Sequence, residues 1–167
     1  MFESIIESII THLLIGSSIA AVISILSLLA VRRYRRSRRR VLKSLRLREL
    51  KSMSPREFEH AIAELLRALD YKDVKVVGGS GDLAIDVIAR YNNRRVVIQC
   101  KRYNERKVTS PEMQMFIGMM LTEHNADKGI YVTTSSFTRD AVMLARKHGI
   151  ELWDGDRLSE LLIKIKR

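Results

Sequence analysis

Three polar residues interrupt two segments whose sequences are typical of buried β-strands. Asp86 lies in LAIDVIARY (83–91), while Gln99 and Lys101 lie in RVVIQCKRY (95–103). A carboxylate is expensive to bury unless it is paired with another group or coordinates a metal ion. These residue types therefore mark the two strands as the first candidates for a chemical site.

Strand geometry is expected to bring these residues together. Side chains two residues apart share a face of a strand, so Asp86 shares a face with Asp82, a supporting candidate, and Gln99 shares one with Lys101. Asn92-Asn93, between the two strands, is typical of a tight hairpin turn and sets the strands antiparallel. Asp86 is then expected near Gln99 and Lys101 at one end of a sheet.

The residues alone leave two interpretations of this cluster open. In the first, Asp86 and Lys101 form a structural ion pair and Gln99 takes no part. In the second, Asp86, Gln99 and the backbone carbonyl of Cys100 supply oxygen ligands to a hard cation such as Mg²⁺. Lys101 then holds a nucleophilic water or offsets charge on a phosphate, which suits metal-assisted phosphodiester hydrolysis.

A further carboxylate is available from the first helix of the same domain. Residues 54–57 (SPRE) supply an N-cap serine, a proline at the first helical position and a capping-box glutamate. Apolar residues recur at helical spacing from Phe58 to Leu69 and define the buried face. Glu59 lies about 100° from Phe58, at the margin of this face, where it either turns towards the sheet or stays at the surface.

The remaining pattern predicts a mixed α/β domain. Strands are predicted at 73–77, 83–91, 95–103, 129–135 and 150–153, and helices at 54–69, 110–124, 138–147 and 156–165. This order, αβββαβαβ(α), describes a mixed central sheet flanked by helices. The single cysteine, Cys100, excludes an intramolecular disulfide and is expected in the core.

The N-terminal segment is expected to anchor this domain in the cell membrane. Residues 9–31 are 23 positions without Asp, Glu, Lys or Arg, and at ~1.5 Å per residue a helix of this length reaches roughly 35 Å, enough for a ~30 Å hydrocarbon core. Seven arginines follow between Arg32 and Arg40. Such a block marks the cytoplasmic side and binds anionic headgroups, although a nucleic-acid-binding arm has the same composition. The pattern predicts an extracytoplasmic segment 1–8, a single membrane span 9–31, a basic linker 32–51 and a cytoplasmic domain 52–167.

Several motifs in this domain together resemble the Mrr-type restriction endonuclease domain of the PD-(D/E)xK nuclease superfamily. The matching segments are FE at 58–59, GD at 81–82, IDV at 85–87, QCKRY at 99–103, GIYVTTSSFTRDAVMLA at 129–145 and WDG at 153–155. The resemblance covers roughly residues 52–165. It implies a restriction-endonuclease-like fold and type IV restriction activity, with DNA cleavage that depends on Mg²⁺, for which Mn²⁺ can substitute.

The resemblance also assigns roles to individual residues. It implies that Asp86, Gln99 and Lys101 form the active site and that Glu59 joins them as a catalytic residue and a further metal ligand. Ala84 departs from the glycine that the family often has there. The place of the family's separate DNA-reading domain is taken by the predicted anchor. A homodimer with two-fold symmetry is expected for cutting both DNA strands.

Other polar segments near the predicted hairpin are candidates for DNA contact. A glycine-rich loop offers backbone N–H groups to a phosphate, a basic segment leaves the active strand, and a hydroxyl-rich segment follows the next strand. Each is also compatible with a structural role, as a connection, a solvated surface or a helix cap. The candidate residues are Gly79, Ser80, Arg102, Tyr103, Arg106, Lys107, Thr134 and Ser135.

The leading hypothesis is a membrane-anchored, Mg²⁺-dependent DNA endonuclease that restricts foreign or modified DNA. One alternative is a structure-selective nuclease that acts on DNA junctions. The other is a non-catalytic module that tethers DNA or a partner at the membrane, because a fold can be kept without its activity.

Overall fold

The computed structural model describes residues 12, 16, 20–33, 45–77 and 85–166. The chain divides into two compact units, residues 1–40 and 41–167. In the first unit, residues 20–33 belong to a helix, α1, whose side chains are exposed. Among the described residues, no helix combines the length and the apolar character that crossing a membrane requires.

Much of the predicted N-terminal organisation lies outside the described residues. Segment 1–8 lies wholly outside them, and the predicted span 9–31 and the linker 32–51 lie partly outside. Three of the candidate site residues, Gly79, Ser80 and Asp82, also lie outside. These assignments stay predictions.

The second unit is a five-stranded mixed sheet with helices on both faces. Its strands are β1 (Lys72–Val76), β2 (Val87–Tyr91), β3 (Arg94–Lys101), β4 (Lys128–Thr133) and β5 (Glu151–Trp153). Its helices are α2 (Leu47–Ser52), α3 (Pro55–Ala68), α4 (Ser110–Thr122), α5 (Arg139–Lys147) and α6 (Gly155–Lys164). The strands lie in the order β1-β2-β3-β4-β5, with β1 to β3 antiparallel and β3 to β5 parallel. The predicted order of elements is confirmed, and α2 is a short additional helix at the end of the predicted linker.

Local sequence signals determine where these elements begin and turn. Ser54 accepts a hydrogen bond from the N–H of Glu57, and the Glu57 carboxylate accepts one from the N–H of Ser54, which completes the predicted capping box. Thr138 and Asp154 cap α5 and α6 through their side chains. Asn92-Asn93 have φ angles of 50° and 62°, as a tight turn between antiparallel strands requires. The predicted hairpin is therefore confirmed.

Two apolar clusters hold the sheet between its helices, and β3 belongs to both. Cys100 and Ile98 face the cluster formed with α3 and α6, whereas Val97 faces the cluster formed with α4 and α5. Residues 96–100 are all buried. Because alternate side chains point to opposite faces, Gln99 and Lys101 share the α4 face with Val97. The predicted core position of Cys100 is confirmed.

Candidate active site

The centre of the candidate site is a pair of buried polar side chains, one just before β2 and one in β3. Asp86 and Gln99 are only 5% and 2% exposed. Gln99 Nε2 donates a hydrogen bond to Asp86 Oδ2 over 2.6 Å, and the backbone N–H of Cys100 donates to the same oxygen over 2.6 Å. The predicted approach of the two strands at Asp86 is therefore present, and Gln99 is a direct partner of the carboxylate.

Backbone hydrogen bonds on both sides keep Asp86 in this position. Its N–H donates to the carbonyl of Ile98 on β3 over 2.9 Å, and its carbonyl accepts from the N–H of Val77 over 2.8 Å. The next residue, Val87, lies opposite Ile98 in the antiparallel register. The sheet itself therefore directs the carboxylate towards Gln99.

One oxygen of this pair has no hydrogen-bond donor within the described part of the chain. Gln99 Oε1 is buried and accepts no hydrogen bond, and an unsatisfied buried polar group costs about 1–3 kcal/mol. The Cys100 N–H donates to Asp86. Because the N–H and C=O of one strand residue point to the same neighbouring strand, the Cys100 carbonyl also points towards the Asp86 side of β3. The Asp86 carboxylate, the Gln99 amide oxygen and the Cys100 carbonyl together are the kinds of oxygen that a hard divalent cation takes.

These residues therefore fit a divalent cation, although not through a cluster of acidic side chains. Among the described residues, no group of three or more His, Cys, Asp or Glu side chains is arranged to hold a metal ion. The proposed ligand set depends on amide and backbone oxygens beside one carboxylate. Such a set leaves coordination positions for water, which suits Mg²⁺ because this ion usually keeps several waters.

A cavity of about 220 Å³ lies beside Gln99 on the α4 face of the sheet. A cavity of this volume has room for several water molecules, or for a phosphate group with a few waters. Lys101 lines this cavity, two residues beyond Gln99 on the same face. Among the residues that the structure describes, the lining consists of Gln99, Lys101, Tyr103, Glu112, Met115, Phe116 and Tyr131.

Glu59 lies on α3, which packs against the opposite face of the sheet. Its side chain is 13% exposed, and its carboxylate accepts a hydrogen bond from Arg56 Nη1 over 3.0 Å. Burial raises the pKa of the Cys100 thiol, and the charges of Asp86 and Glu59 raise it further. Glu59 therefore lies near the end of β3, but its hydrogen bond is to Arg56 and its catalytic role stays a prediction.

The basic segment after β3 is used partly within the protein. Arg102 Nη1 donates to a backbone carbonyl in the last turn of α2 over 3.2 Å. The Arg106 guanidinium lies 4.9 Å from the centre of the Tyr103 ring and 3.4 Å from Glu112 Oε1, while most of its side chain stays exposed. Lys107 is exposed. Arg106 and Lys107 are therefore accessible to a phosphate, whereas Arg102 is turned towards α2.

The hydroxyl-rich segment after β4 supports the neighbouring backbone. Thr134 is fully buried, and its hydroxyl donates to the carbonyl of Tyr103 over 2.7 Å. The N–H of Ser135 donates to the hydroxyl of Thr133 over 3.2 Å. These contacts favour the structural interpretation of Thr134, and DNA contact by the half-buried Ser135 stays a prediction.

Sequence reasoning missed Glu112, which lines the cavity from the first turn of α4. Its carboxylate accepts hydrogen bonds from the Tyr103 hydroxyl over 2.6 Å and from the N–H and hydroxyl of Thr109 over 2.9 and 2.8 Å. Burial raises the pKa of Glu112, but these hydrogen bonds and the charge of Arg106 outweigh it, so the pKa lies below its usual value. The Thr-x-x-Glu capping spacing at 109–112 was the available signal.

Comparison with known protein sequences matches the second unit to restriction endonucleases. A family model described as restriction endonuclease, the Mrr catalytic domain, matches residues 50–162. The type IV methyl-directed restriction enzyme EcoKMrr of Escherichia coli strain K12 is 35% identical in an alignment 140 residues long, which covers 75% of this chain and 45% of that protein. The chain therefore spans less than half the length of this curated relative.

Solved structures of restriction endonucleases share the fold. The DNA modification-dependent restriction endonuclease AspBHI is 19% identical with a TM-score of 0.55, covering 77% of this chain and 35% of that one. The MspJI restriction endonuclease, solved with a 27-mer oligonucleotide, is 20% identical with a TM-score of 0.50, covering 69% of this chain and 30% of that one. At these identities the likeness shows the fold, and the predicted restriction-endonuclease-like fold is confirmed.

Proposed function

The chain belongs to the restriction endonuclease family whose Mrr catalytic domain model matches residues 50–162, and we propose that it is a DNA endonuclease that acts in restriction. The observation that carries the proposal is the buried Asp86–Gln99 pair, in which Gln99 Oε1 accepts no hydrogen bond from the described residues, next to the cavity that Gln99 and Lys101 line. Restriction endonuclease domains of this fold generally use divalent metal ions. Mg²⁺ is the proposed ion, and Mn²⁺ is its proposed substitute.

The residues of the site divide the tasks of phosphodiester hydrolysis among them. Asp86, Gln99 Oε1 and the Cys100 carbonyl would hold the cation, which would supply polarisation of the phosphate and a lower pKa of bound water. The Lys101 ammonium offsets negative charge on the phosphate and holds the attacking water. Glu59 is proposed to assist from α3 once its carboxylate leaves Arg56.

Residues outside the cavity position the DNA. The exposed Lys107 and Arg106 side chains are proposed to neutralise neighbouring phosphates. Contacts of this kind fix the register of a duplex without reading its sequence. Binding is therefore expected to weaken as the salt concentration rises, because phosphate contacts release counterions.

Modified DNA is the proposed substrate class. EcoKMrr is described as methyl-directed and AspBHI as DNA modification-dependent. The proposal for this chain is therefore tested on plasmids that differ only in methylation. Cleavage of both strands is proposed to need a two-fold dimer, since each site holds one catalytic cavity.

The experiment incubates the full chain with methylated and unmethylated plasmid and Mg²⁺. Asp86→Asn and Lys101→Ala should each lower the cleavage rate at least about 100-fold, because each removes a group that stabilises charge at the phosphate. Asp73→Asn and Lys75→Ala are matched controls, since they make the same changes at exposed positions of β1. Equal cleavage by wild type and Asp86→Asn refutes the proposal. Adding four-way junctions as substrates separates restriction from junction cleavage.

A membrane anchor is proposed on the sequence pattern of residues 9–31 and the arginines that follow. In this proposal the N-terminus lies outside, Arg32–Arg40 contact anionic headgroups, and the nuclease domain lies in the cytoplasm. Fractionation of cells that express the full chain, or a variant lacking residues 9–31, tests it. The full chain should stay with membranes after a high-salt wash. Its release to the same extent as the deletion variant contradicts the anchor.

A further inference from the structure

Tyr103 is fixed from three directions beside the cavity that Lys101 lines. Its hydroxyl donates to Glu112 Oε1 over 2.6 Å, and its carbonyl accepts from the Thr134 hydroxyl over 2.7 Å. The Arg106 guanidinium covers its ring at 4.9 Å. These three contacts restrict the backbone, the ring and the hydroxyl of Tyr103, so its side chain is held in one position beside the cavity.

Glu112 is the centre of this arrangement. One of its oxygens accepts from Tyr103 and lies 3.4 Å from Arg106 Nη2, and the other accepts from the N–H and the hydroxyl of Thr109. Both oxygens of the Glu112 carboxylate therefore contact hydrogen-bond donors. Its side chain is held at the start of α4, where it has little freedom to act as a metal ligand or a proton acceptor.

The hydrogen bond to Glu112 determines what Tyr103 offers to the cavity. A tyrosine hydroxyl has one donor and two acceptor positions, and its proton here is directed to Glu112. The oxygen is left with acceptor capacity only. Lys101 lines the same cavity, and its ammonium has three donors and no acceptor. Gln99, Lys101 and Tyr103 follow each other at two-residue spacing along the chain, as residues that share one face of a strand do.

We propose that Glu112 and Tyr103 form a positioning pair for Lys101. Glu112 orients the Tyr103 hydroxyl so that, when a phosphate enters the cavity that both residues line, the Tyr103 oxygen can accept a hydrogen bond from the Lys101 ammonium and keep it directed at the scissile phosphate; the described contacts of the free protein do not include this bond. The proposal rests on the proposed endonuclease function, and it gives Tyr103 a role different from direct contact with DNA. Loss of the Tyr103 hydroxyl slows the chemical step and leaves the affinity for DNA unchanged, whereas loss of Glu112 slows the same step and also releases Arg106.

Single-turnover cleavage by the full chain tests this pair, because its dependence on protein concentration separates chemistry from binding. Tyr103→Phe and Glu112→Ala should each lower the rate at saturation roughly ten- to hundred-fold, as much as is lost when a residue that orients a metal ligand is removed. The double variant should be no slower than the slower single variant, because the two groups act as one unit. Glu112→Gln should recover part of the rate, since its amide oxygen can still accept from the phenol.

Glu151→Gln is a matched control for loss of stability. Glu151 is also a half-buried carboxylate with an aromatic donor, Trp153 Nε1 at 2.7 Å, and a cation, Lys128, but it lies on β5 outside the cavity lining. It should lower Tm without slowing cleavage at temperatures where the protein stays folded. A rate that falls in proportion to Tm in both Glu112→Gln and Glu151→Gln overturns the proposal.

Other outcomes separate this pair from the function on which it rests. Weaker DNA binding by Tyr103→Phe at an unchanged saturated rate overturns the pair in favour of direct DNA contact. Rate losses that multiply in the double variant overturn it too. If the wild type cleaves DNA and both Tyr103→Phe and Glu112→Ala cleave it at the same rate, the positioning pair is refuted but the endonuclease function is not. A wild type that cleaves no DNA refutes the endonuclease function and the pair together.

Discussion

Replacing Gln99 with glutamate is the most direct test of the buried pair at the centre of the site. The substitution keeps the size of the side chain but exchanges the Nε2 donor, 2.6 Å from Asp86 Oδ2, for a second carboxylate oxygen. Two carboxylates at this distance in a buried position do not both stay ionised, so one of them takes up a proton. The variant can therefore keep the contact with Asp86 only as a protonated acid.

The expected loss of stability follows from the cost of that proton. The ordinary pKa of glutamate is about 4.3, which is ~2.7 units below pH 7. Protonating it at pH 7 therefore costs ~1.4 kcal/mol for each of these units. Without a metal ion, the Gln99→Glu variant should therefore lose about 3–4 kcal/mol at pH 7 and only about 1 kcal/mol at pH 5. The pKa of the new acid is raised in the folded state, so its penalty grows as the pH rises. For a domain of this size, Tm should fall by roughly 10–15 °C at pH 7.

Thermal unfolding of the full chain at pH 5 and pH 7, with and without Mg²⁺ or Mn²⁺, measures this effect. Gln114→Glu is the matched control, because it makes the same change at an exposed position of α4. A cation at ~100 times its Kd adds about 2.7 kcal/mol, and the gain should be larger for Gln99→Glu because the cation replaces the proton between the two carboxylates. The reasoning is refuted if Gln99→Glu loses no more stability than Gln114→Glu, or loses equally at both pH values.

Three further substitutions test the packing, the hairpin and an ion pair. Alanine at Gly129 places a Cβ 2.7–2.9 Å from three side-chain atoms, so urea unfolding should show a loss of about 1–3 kcal/mol, and an unchanged midpoint contradicts that contact. Valine at Asn93, where φ is 62°, should cost about 1–2 kcal/mol by the same measurement, whereas Asn93→Gly should be neutral or stabilising. Burial raises the pKa of Glu151, but bonds from Lys128 and Trp153 lower it more, so the pKa lies below its usual value. This stabilisation is present above the ordinary pKa and lost as the pH falls through the folded one. Glu151→Gln should therefore lower Tm at pH 7, and the difference from wild type should shrink below about pH 4.

The approach of Asp86 to Gln99 could be predicted because it depends on local regularities. Side-chain alternation determines which residues of β2 and β3 share a face, and Asn92-Asn93 determines how the two strands turn. The helix starting after Ser54 was predictable for the same reason, since its cap lies within four residues of chain. Features that depend on residues close together in the chain could therefore be predicted from the sequence.

The partners of Arg102 and Thr134 could not be predicted in this way. Arg102 reaches a carbonyl of α2, about fifty residues earlier in the chain, and Thr134 binds the carbonyl of Tyr103 across the end of the sheet. Both contacts depend on which segments meet after the sheet has formed. From the sequence, a basic or hydroxyl side chain beside a nuclease site is predicted to contact phosphate. In the folded protein the same side chain instead makes an internal hydrogen bond.

The position of β3 between an antiparallel and a parallel neighbour has a consequence for how activity is lost. Its backbone is bonded to β2 on one side and β4 on the other, so its amide protons should exchange with solvent only when the domain unfolds as a whole. Asp86 instead precedes β2, whose outer neighbour β1 pairs with it through an irregular register. Local opening of the β1–β2 margin releases the Asp86 carbonyl from Val77 and loosens the segment that positions the Asp86 carboxylate, while the pairing of β3 with β4 beside Lys101 stays closed. Heating should therefore lower cleavage several degrees before the β3 amides bonded to β4 lose their protection from exchange.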